Sequence, residues 1–420
     1  MRTLLDIVAA NRAGERTGIP SYCTAHPETL RAIFAAYRDD DAPILIEATC
    51  NQVNQFGGYT GMTPADFRRF AEGLAADEGV DADRLILGGD HLGPNPWKNE
   101  PAAIAMEKAK AMVAAFVEAG FTKIHLDASM ACADDGQLAE ATMAERAADL
   151  AIVAERAAAS RQLAYVVGTE VPIPGGETET LDALAVTTTT SVQRTIDLHR
   201  TAFAARGLDA AFDRVVGIVV QPGVDFGNDK VYAFVPEKAA DLSATVASLP
   251  GLVFEAHSSD YQTEAALAAL VDGHFAILKV GPELTFAYRQ AVVALAGIEA
   301  SLGPAEPSGI LDVIRTEMRA APKDWRGYVA ADEREAAMML FGLSDRVRYY
   351  WPNPRIQAAL GRLHRNIAEG RPEPGLVAQA TGGLVGPAID PAGLPRQLVR
   401  QMVGAVVAKY RAAARDGGAG

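Results

Sequence analysis

Between residues 18 and 301, short apolar runs of strand length alternate with longer alanine-rich stretches in which apolar residues recur every three or four positions. The runs cover 20–25, 44–49, 85–88, 123–127, 164–170, 215–220, 252–257 and 276–280. Helical periodicity fills the intervals, as at 27–37, 102–119, 145–159 and 192–205. Near-continuous apolar strands separated by helices predict a parallel sheet covered on its outer face. Eight such units match the count and length of an α/β fold of the (β/α)8 TIM-barrel type. An open doubly wound sheet would normally place a glycine-rich phosphate turn after its first strand. The chain has no GxGxxG there and no GxxxxGK[ST] anywhere.

The expected organisation is a barrel over 1–301, with an N-terminal helix closing its floor, and a helical C-terminal extension over 302–420. Pro304, Pro307 and Pro322 mark the linker, and the extension reads as a lid or an oligomer contact. The glycine-rich tail after Arg415 is expected to fray.

A chain of 420 residues, 49% of them hydrophobic, can bury one large core plus an added subdomain. With 53 acidic against 39 basic residues the net charge is -14, which argues against a nucleic-acid partner but leaves small anions open. Three widely spaced cysteines form no disulfide framework and no CxxC zinc module, and they suit a reducing cytoplasm. The N-terminal apolar stretch is interrupted by Asp6, Asn11 and Arg12. It is too short and polar for a signal segment or a membrane span.

In such a barrel the C-terminal strand ends converge on one site. They carry Cys23 and His26; Glu47, Asn51 and Gln52; Asp90 and His91; Asp127 and Ser129; Glu170 with Glu177 and Glu179; Gln221; His257, Ser258 and Ser259; and Lys279. Several histidines and carboxylates together suit a divalent metal (Zn, Mn, Co or Mg) and a proton transfer. His91, His257 and Glu170 are the candidate ligands. Gln221 is either a weaker fourth ligand or an amide bonding across the mouth.

Asp90 is the candidate base, though side chains adjacent on an extended strand point to opposite sides. A turn at the strand end brings both it and His91 to the mouth; the alternative is a carboxylate capping that turn. The paired glycines of EVPIPGGETE permit a turn carrying Glu177 over the site as a second acid or base. Otherwise Glu177 and Glu179 are solvated loop carboxylates. Asn51, Gln52 and Asp127 are candidate substrate contacts. For an anion, Ser258, Ser259 and Lys279 follow strands seven and eight, and Arg346 or Arg348 in DRVRYYWP reaches over from the extension; that segment also reads as an aromatic packing cluster.

The strings YCTAHP, EATCNQVNQFGGYTGM, GGDHLGPNPW, HLDAS, GTEVPIPGGE, VVQPG, FEAHSSDYQT, LKVGP and DRVRYYWP resemble the family of the class II tagatose-1,6-bisphosphate aldolase large subunit. That family is often labelled non-catalytic, or a tagatose-6-phosphate kinase, and some relatives are metal-dependent ketose 4-epimerases acting on tagatose 6-phosphate. The resemblance implies an epimerase interconverting D-tagatose 6-phosphate and D-fructose 6-phosphate by retro-aldol and aldol steps. Its alternative is a non-catalytic subunit stabilising a smaller aldolase subunit. The partners it implies are a ketose phosphate, an aldolase catalytic subunit and further copies of the chain.

More distantly, the catalytic class II aldolases are similar. Their Asp-His pair matches Asp90 as base and His91 as ligand, and their Glu-x4-Gly-Gly-Glu segment matches Glu170, Gly175, Gly176 and Glu177. Their last histidine ligand matches His257. Gln221 stands where they carry another histidine, which makes Mn or Mg more plausible than in a three-histidine site. The kinase label finds no support, because the chain lacks a phosphate-cradling glycine loop with a positioned lysine.

Overall fold

The computed structural model describes residues 2–171, 184–383 and 390–414. Eight parallel strands close into a barrel: β1 Ile19–Cys23, β2 Ile44–Thr49, β3 Leu85–Leu92, β4 Lys123–Leu126, β5 Ala164–Val167, β6 Val215–Val220, β7 Val253–Ala256 and β8 Ile277–Val280. Ile19 of β1 sits opposite Ile277 of β8, which seals the ring and leaves no unpaired edge. An α/β barrel is therefore the architecture, as its alternating pattern predicted. Strands β1, β4, β5 and β7 end before their apolar runs do.

Helix starts follow local capping chemistry. Thr3 and Asp6 form a capping box on Leu4–Arg12, and Thr63 and Asp66 another on Pro64–Asp77. Helix Glu140–Ala158 begins five residues before the stretch its periodicity marked. Leu4, Ile7 and Val8 pack with Ile19, Leu45, Ala164, Val216, Val253 and Ile277 at the N-terminal end of the barrel. An apolar plug therefore shuts the floor, and chemistry is left to the opposite end.

Beyond β8, the helix Pro282–Leu302 runs across the position where the extension was expected to begin. The last helix, Leu394–Ala414, returns to the barrel and packs on β1 and on helices Pro27–Ala36, Glu264–Asp272 and Pro282–Leu302. Tyr410 on it donates to the Ser259 carbonyl at 2.7 Å. Between those two helices, the stretch around Arg348, Tyr349 and Trp351 lines the mouth. It is anchored by a buried ion pair of Arg289 Nε with Asp345 Oδ1 at 2.9 Å, and Thr285 Oγ1 donates to the same carboxylate at 2.5 Å. Among the described residues no helix is long and apolar enough to cross a membrane.

Candidate active site at the barrel mouth

Besides β3 with Asp90 and His91, four barrel strands carry charged or ionisable residues among apolar ones: Glu47 on β2, Lys123 and His125 on β4, Glu255 on β7 and Lys279 on β8. Charges are buried in a barrel interior only when paired, and these pair with one another. Lys123 lies fully buried against Glu47 and, at 2.7 Å, Glu255 Oε2. Lys279 Nζ contacts Asp90 Oδ1 and lies 3.5 Å from Glu47 Oε2. Gly88 makes room for this pairing, since a Cβ there would stand 2.6 Å from Glu47 Oε1.

Above that layer, β3 ends in a local distortion. His91 has φ of +50°, a left-handed conformation costly for a residue with a side chain, and the pairing register with β4 shifts between Gly89 and Leu92. The consequence is that adjacent Asp90 and His91 both face inward, which a regular strand forbids.

Three imidazoles then meet. The ring centroids of His91, His125 and His257 stand 5.0 to 5.3 Å apart. Each has one nitrogen held by a carboxylate: His91 Nδ1 by Asp127 at 2.8 Å, His125 Nδ1 by Asp90 at 3.0 Å, and His257 Nε2 by Glu255 at 2.8 Å. The other nitrogens are left for a further partner, and His125 Nε2 is buried without one among the described residues. Carboxylate-oriented imidazoles are the usual setting of a metal-binding histidine. Ligand atoms of Asp90, His125, Glu255 and His257 all lie within 4.8 Å of one another. The donor set therefore fits a divalent ion.

Burial pushes the Asp90 carboxyl up, but His91, Lys279 and the hydrogen bond from His125 outweigh it and hold the group well below the usual carboxylate range. Burial, with Lys279 and His91 adding to it, holds the His257 imidazole well below its ordinary value, so this ring is neutral and able to ligate. For Lys279, burial favours the free amine, yet Asp90, Cys23, Glu47 and Glu255 together keep the ammonium.

A cavity of about 380 Å³ opens over the cluster. Asp90, His91, His257, Ser258 and Lys279 line its base, with Asn51 and Gln52 on one side. Its roof is aromatic. Trp351, Tyr59 and Tyr349 line it; Trp351 packs edge to face on Tyr288 behind it at 4.9 Å, and Tyr59 and Tyr349 stand 4.7 Å apart.

The other expected residues are placed as follows. Asp127 stands behind His91 and also accepts from Ser129 Oγ at 2.6 Å. Ser259 is buried, donating to the Lys279 carbonyl at 2.6 Å. Glu170 is exposed, accepting from Thr187 Oγ1 at 2.6 Å and from Ser191. Gln221 Oε1 accepts from the amides of Gly223 at 2.8 Å and Val224 at 2.9 Å, closing its own turn. The structure does not bring these last two to the histidines. Arg346 donates to the Asp324 carbonyl at 2.6 Å and stacks on Tyr328, whereas Arg348 reaches the cavity. Glu177, Glu179 and the tail after Arg415 lie outside the described residues. Sequence reasoning passed over Lys123, His125 and Glu255. The available signal was an ionisable residue at an inward position within an apolar strand.

After β7, the Asp260 carboxylate accepts from Gly281 N at 3.0 Å and Glu283 N at 2.8 Å. Burial first, and then the neighbouring Glu283, push this acid up to about 7. The folded protein therefore holds a proton that the unfolded chain releases near pH 4. Its contribution to stability is complete below that pH and lost as pH rises through about 7. Wild type should lose up to about 4 kcal/mol relative to Asp260→Asn between pH 4 and 7.5, taking 1.36 kcal/mol per unit. Urea melts of both proteins across that range check this; parallel curves would contradict it.

The family described as D-tagatose-1,6-bisphosphate aldolase subunit GatZ/KbaZ-like matches residues 4–415. A D-tagatose-1,6-bisphosphate aldolase subunit GatZ of Klebsiella pneumoniae is 49% identical over 380 residues, 89% of this chain and 90% of that protein. A D-tagatose 6-phosphate 4-epimerase of Agrobacterium fabrum is 48% identical over 422 residues, 99% of each chain. The crystal structure of a probable tagatose 6 phosphate kinase from Sinorhizobium meliloti shares the fold with a TM-score of 0.84 and 45% identity, covering 94% of this chain and all of that one. Matched along nearly its whole length, the chain belongs to the GatZ/KbaZ-like family of D-tagatose-1,6-bisphosphate aldolase subunits.

Proposed function

We propose that the chain is a metal-dependent ketose-phosphate 4-epimerase interconverting D-tagatose 6-phosphate and D-fructose 6-phosphate. The observation that carries this reading is the cavity in which a buried, ionised Asp90 stands beside three carboxylate-oriented imidazoles. It is supported by the 48% identity to a protein named for that activity.

The C4 hydrogen of a 2-ketose is one carbon too far from the carbonyl to be acidic, so direct proton abstraction at C4 is slow. Breaking the C3–C4 bond avoids the difficulty. Asp90 accepts the proton of the C4 hydroxyl. The C3–C4 electron pair moves into the C2–C3 unit, and C4 becomes an aldehyde carbon. Within the cavity the aldehyde turns its other face, the C3–C4 bond re-forms, and Asp90 returns the proton to O4. Lys279, on the same Asp90 oxygen, keeps the carboxylate ionised for the first step.

A divalent ion held by His125 and His257, whose ligand atoms cluster with those of Asp90 and Glu255, and with His91 beside them, would supply electrophilic stabilisation for charge developing on the ketose oxygens. Three unpaired thiols suit a reducing, cytoplasmic setting.

This reading is tested by incubating the protein and an added divalent ion with D-tagatose 6-phosphate and following the carbons by NMR. Fructose 6-phosphate is the expected product, and its absence overturns the reading. The second reading, a non-catalytic stabilising subunit of an aldolase, draws on the relative named GatZ. A pure scaffold, however, has no chemical reason to hold this constellation.

The ligand set has its own test. His125→Ala should lower bound metal at least about tenfold by elemental analysis. Glu170→Gln should retain the ion. The reverse result favours the set of His91, His257, Glu170 and Gln221.

A further inference from the structure

Barrel enzymes commonly hold a substrate phosphate on backbone amides after strands seven and eight, at the start of a helix. In this chain the amides that open the helix after β8 are already spent. The amides of Gly281 and Glu283, which open helix Pro282–Leu302, both donate to Asp260. Behind them Glu283 is buried, accepting from Tyr261 N at 2.8 Å and from Lys409. The nearby cation, Lys279, is committed to Asp90 and Glu47. An anion arriving there meets the Asp260 and Glu283 carboxyl groups, with the Ser258 hydroxyl beside them on the cavity lining.

Arg348 also lines the cavity. Among the described residues no carboxylate pairs with it. Its partners are neutral acceptors: the carbonyls of Ser344 and, at 3.1 Å, Asp345, and the Tyr349 hydroxyl at 3.1 Å. Those two carbonyls bind one terminal nitrogen and so fix the plane of the guanidinium. Tyr349 packs on Tyr59, with Asn51, Gln52 and Thr60 beside them on the same wall. A half-buried guanidinium without a counter-charge, orientated by neutral acceptors and facing a cavity, is built to receive an anion.

We propose that Arg348, with the hydroxyls of Tyr59 and Tyr349, holds the phosphate of the substrate beneath the roof, and that the place after β7 and β8 is not used for it. The proposal rests on the reading of the substrate as a ketose phosphate. It also assigns the C-terminal segment a role. Arg289, through its ion pair with Asp345, is a positioning residue that holds the roof and hence Arg348 in place.

The test compares D-tagatose 6-phosphate with D-tagatose, and adds inorganic phosphate as a probe. Arg348→Met should raise KM for the phosphorylated sugar about 100-fold with a much smaller change in kcat, collapsing the preference for it. Arg348→Lys, which keeps the charge but loses the fork, should fall between. Asp260→Asn should keep the preference. Inorganic phosphate should raise the melting temperature of wild type and of Asp260→Asn, but not of Arg348→Met. An unchanged KM in Arg348→Met, or equal losses on both sugars, overturns the proposal, as does phosphate stabilisation that survives in that variant. If wild type turns over neither sugar, the functional reading fails by itself, and the phosphate shift in wild type against Arg348→Met still decides the role of Arg348.

Discussion

Replacing Asp90 by Asn should lower kcat about 10³-fold while the protein stays folded and keeps its metal. A positioned general base contributes about 10²- to 10⁴-fold, and Asp90 is the cavity-lining carboxylate that touches His91, His125, Lys279 and Cys23 together. The amide preserves shape but cannot take the C4 hydroxyl proton, so the loss falls on the bond-breaking step. A thousandfold loss corresponds to about 4 kcal/mol of transition-state stabilisation. Because Asn keeps an oxygen at this position and leaves His125, Glu255 and His257 intact, elemental analysis of the variant should still find the ion. Activity within tenfold of wild type would remove Asp90 from the chemistry. An inactive variant that had also lost its metal would point instead to a structural role.

Lys123→Met should destabilise the protein by about 3 to 5 kcal/mol, the usual cost of breaking a buried ion pair from one side. Lys123 is fully buried between Glu47 and Glu255, so its removal strands two buried carboxylates at once. Burial alone would drive its ammonium toward the free amine, but Glu255 and Glu47 outweigh burial and hold its pKa above the ordinary lysine value. The pairing is therefore present throughout the neutral range and is lost only in strong alkali. A combined Glu47→Gln, Lys123→Met, Glu255→Gln variant should recover much of the loss, since no unpaired charge remains. Urea unfolding of the single and triple variants measures both effects. Equal destabilisation in the two would show that packing volume, rather than the stranded charges, sets the cost.

These two residues also mark how far the sequence could be read. Asp90 and His91 were visible because they end an apolar run, and a barrel gathers its strand ends whatever their distance along the chain. Lys123, His125 and Glu255 escaped because they lie within short strands, where one charge among apolar neighbours gives no sign of its partner. Glu47 and Lys123 are 76 residues apart and pair only once the ring has closed. Glu170 and Gln221 stand at their expected strand ends, but each turns to a local partner, Thr187 for one and the amides of Gly223 and Val224 for the other. Local hydrogen bonds of this kind are not encoded in residue spacing.

The chain alone determined the alternation of strand and helix, the parallel barrel that follows from it, and the mouth as the place where Asp90, His91 and His257 line one cavity. Those are consequences of periodicity and of strand direction, which are properties of neighbouring residues. Tertiary structure decided the rest: the left-handed turn at His91 that points two adjacent side chains inward, His125 completing the imidazole set, the spent amides at Asp260, and Arg348 brought over the mouth from the far end of the chain. Each depends on atoms distant in sequence competing for the same donors, charges and space, and that competition is settled only when the barrel closes and the last helix returns to it.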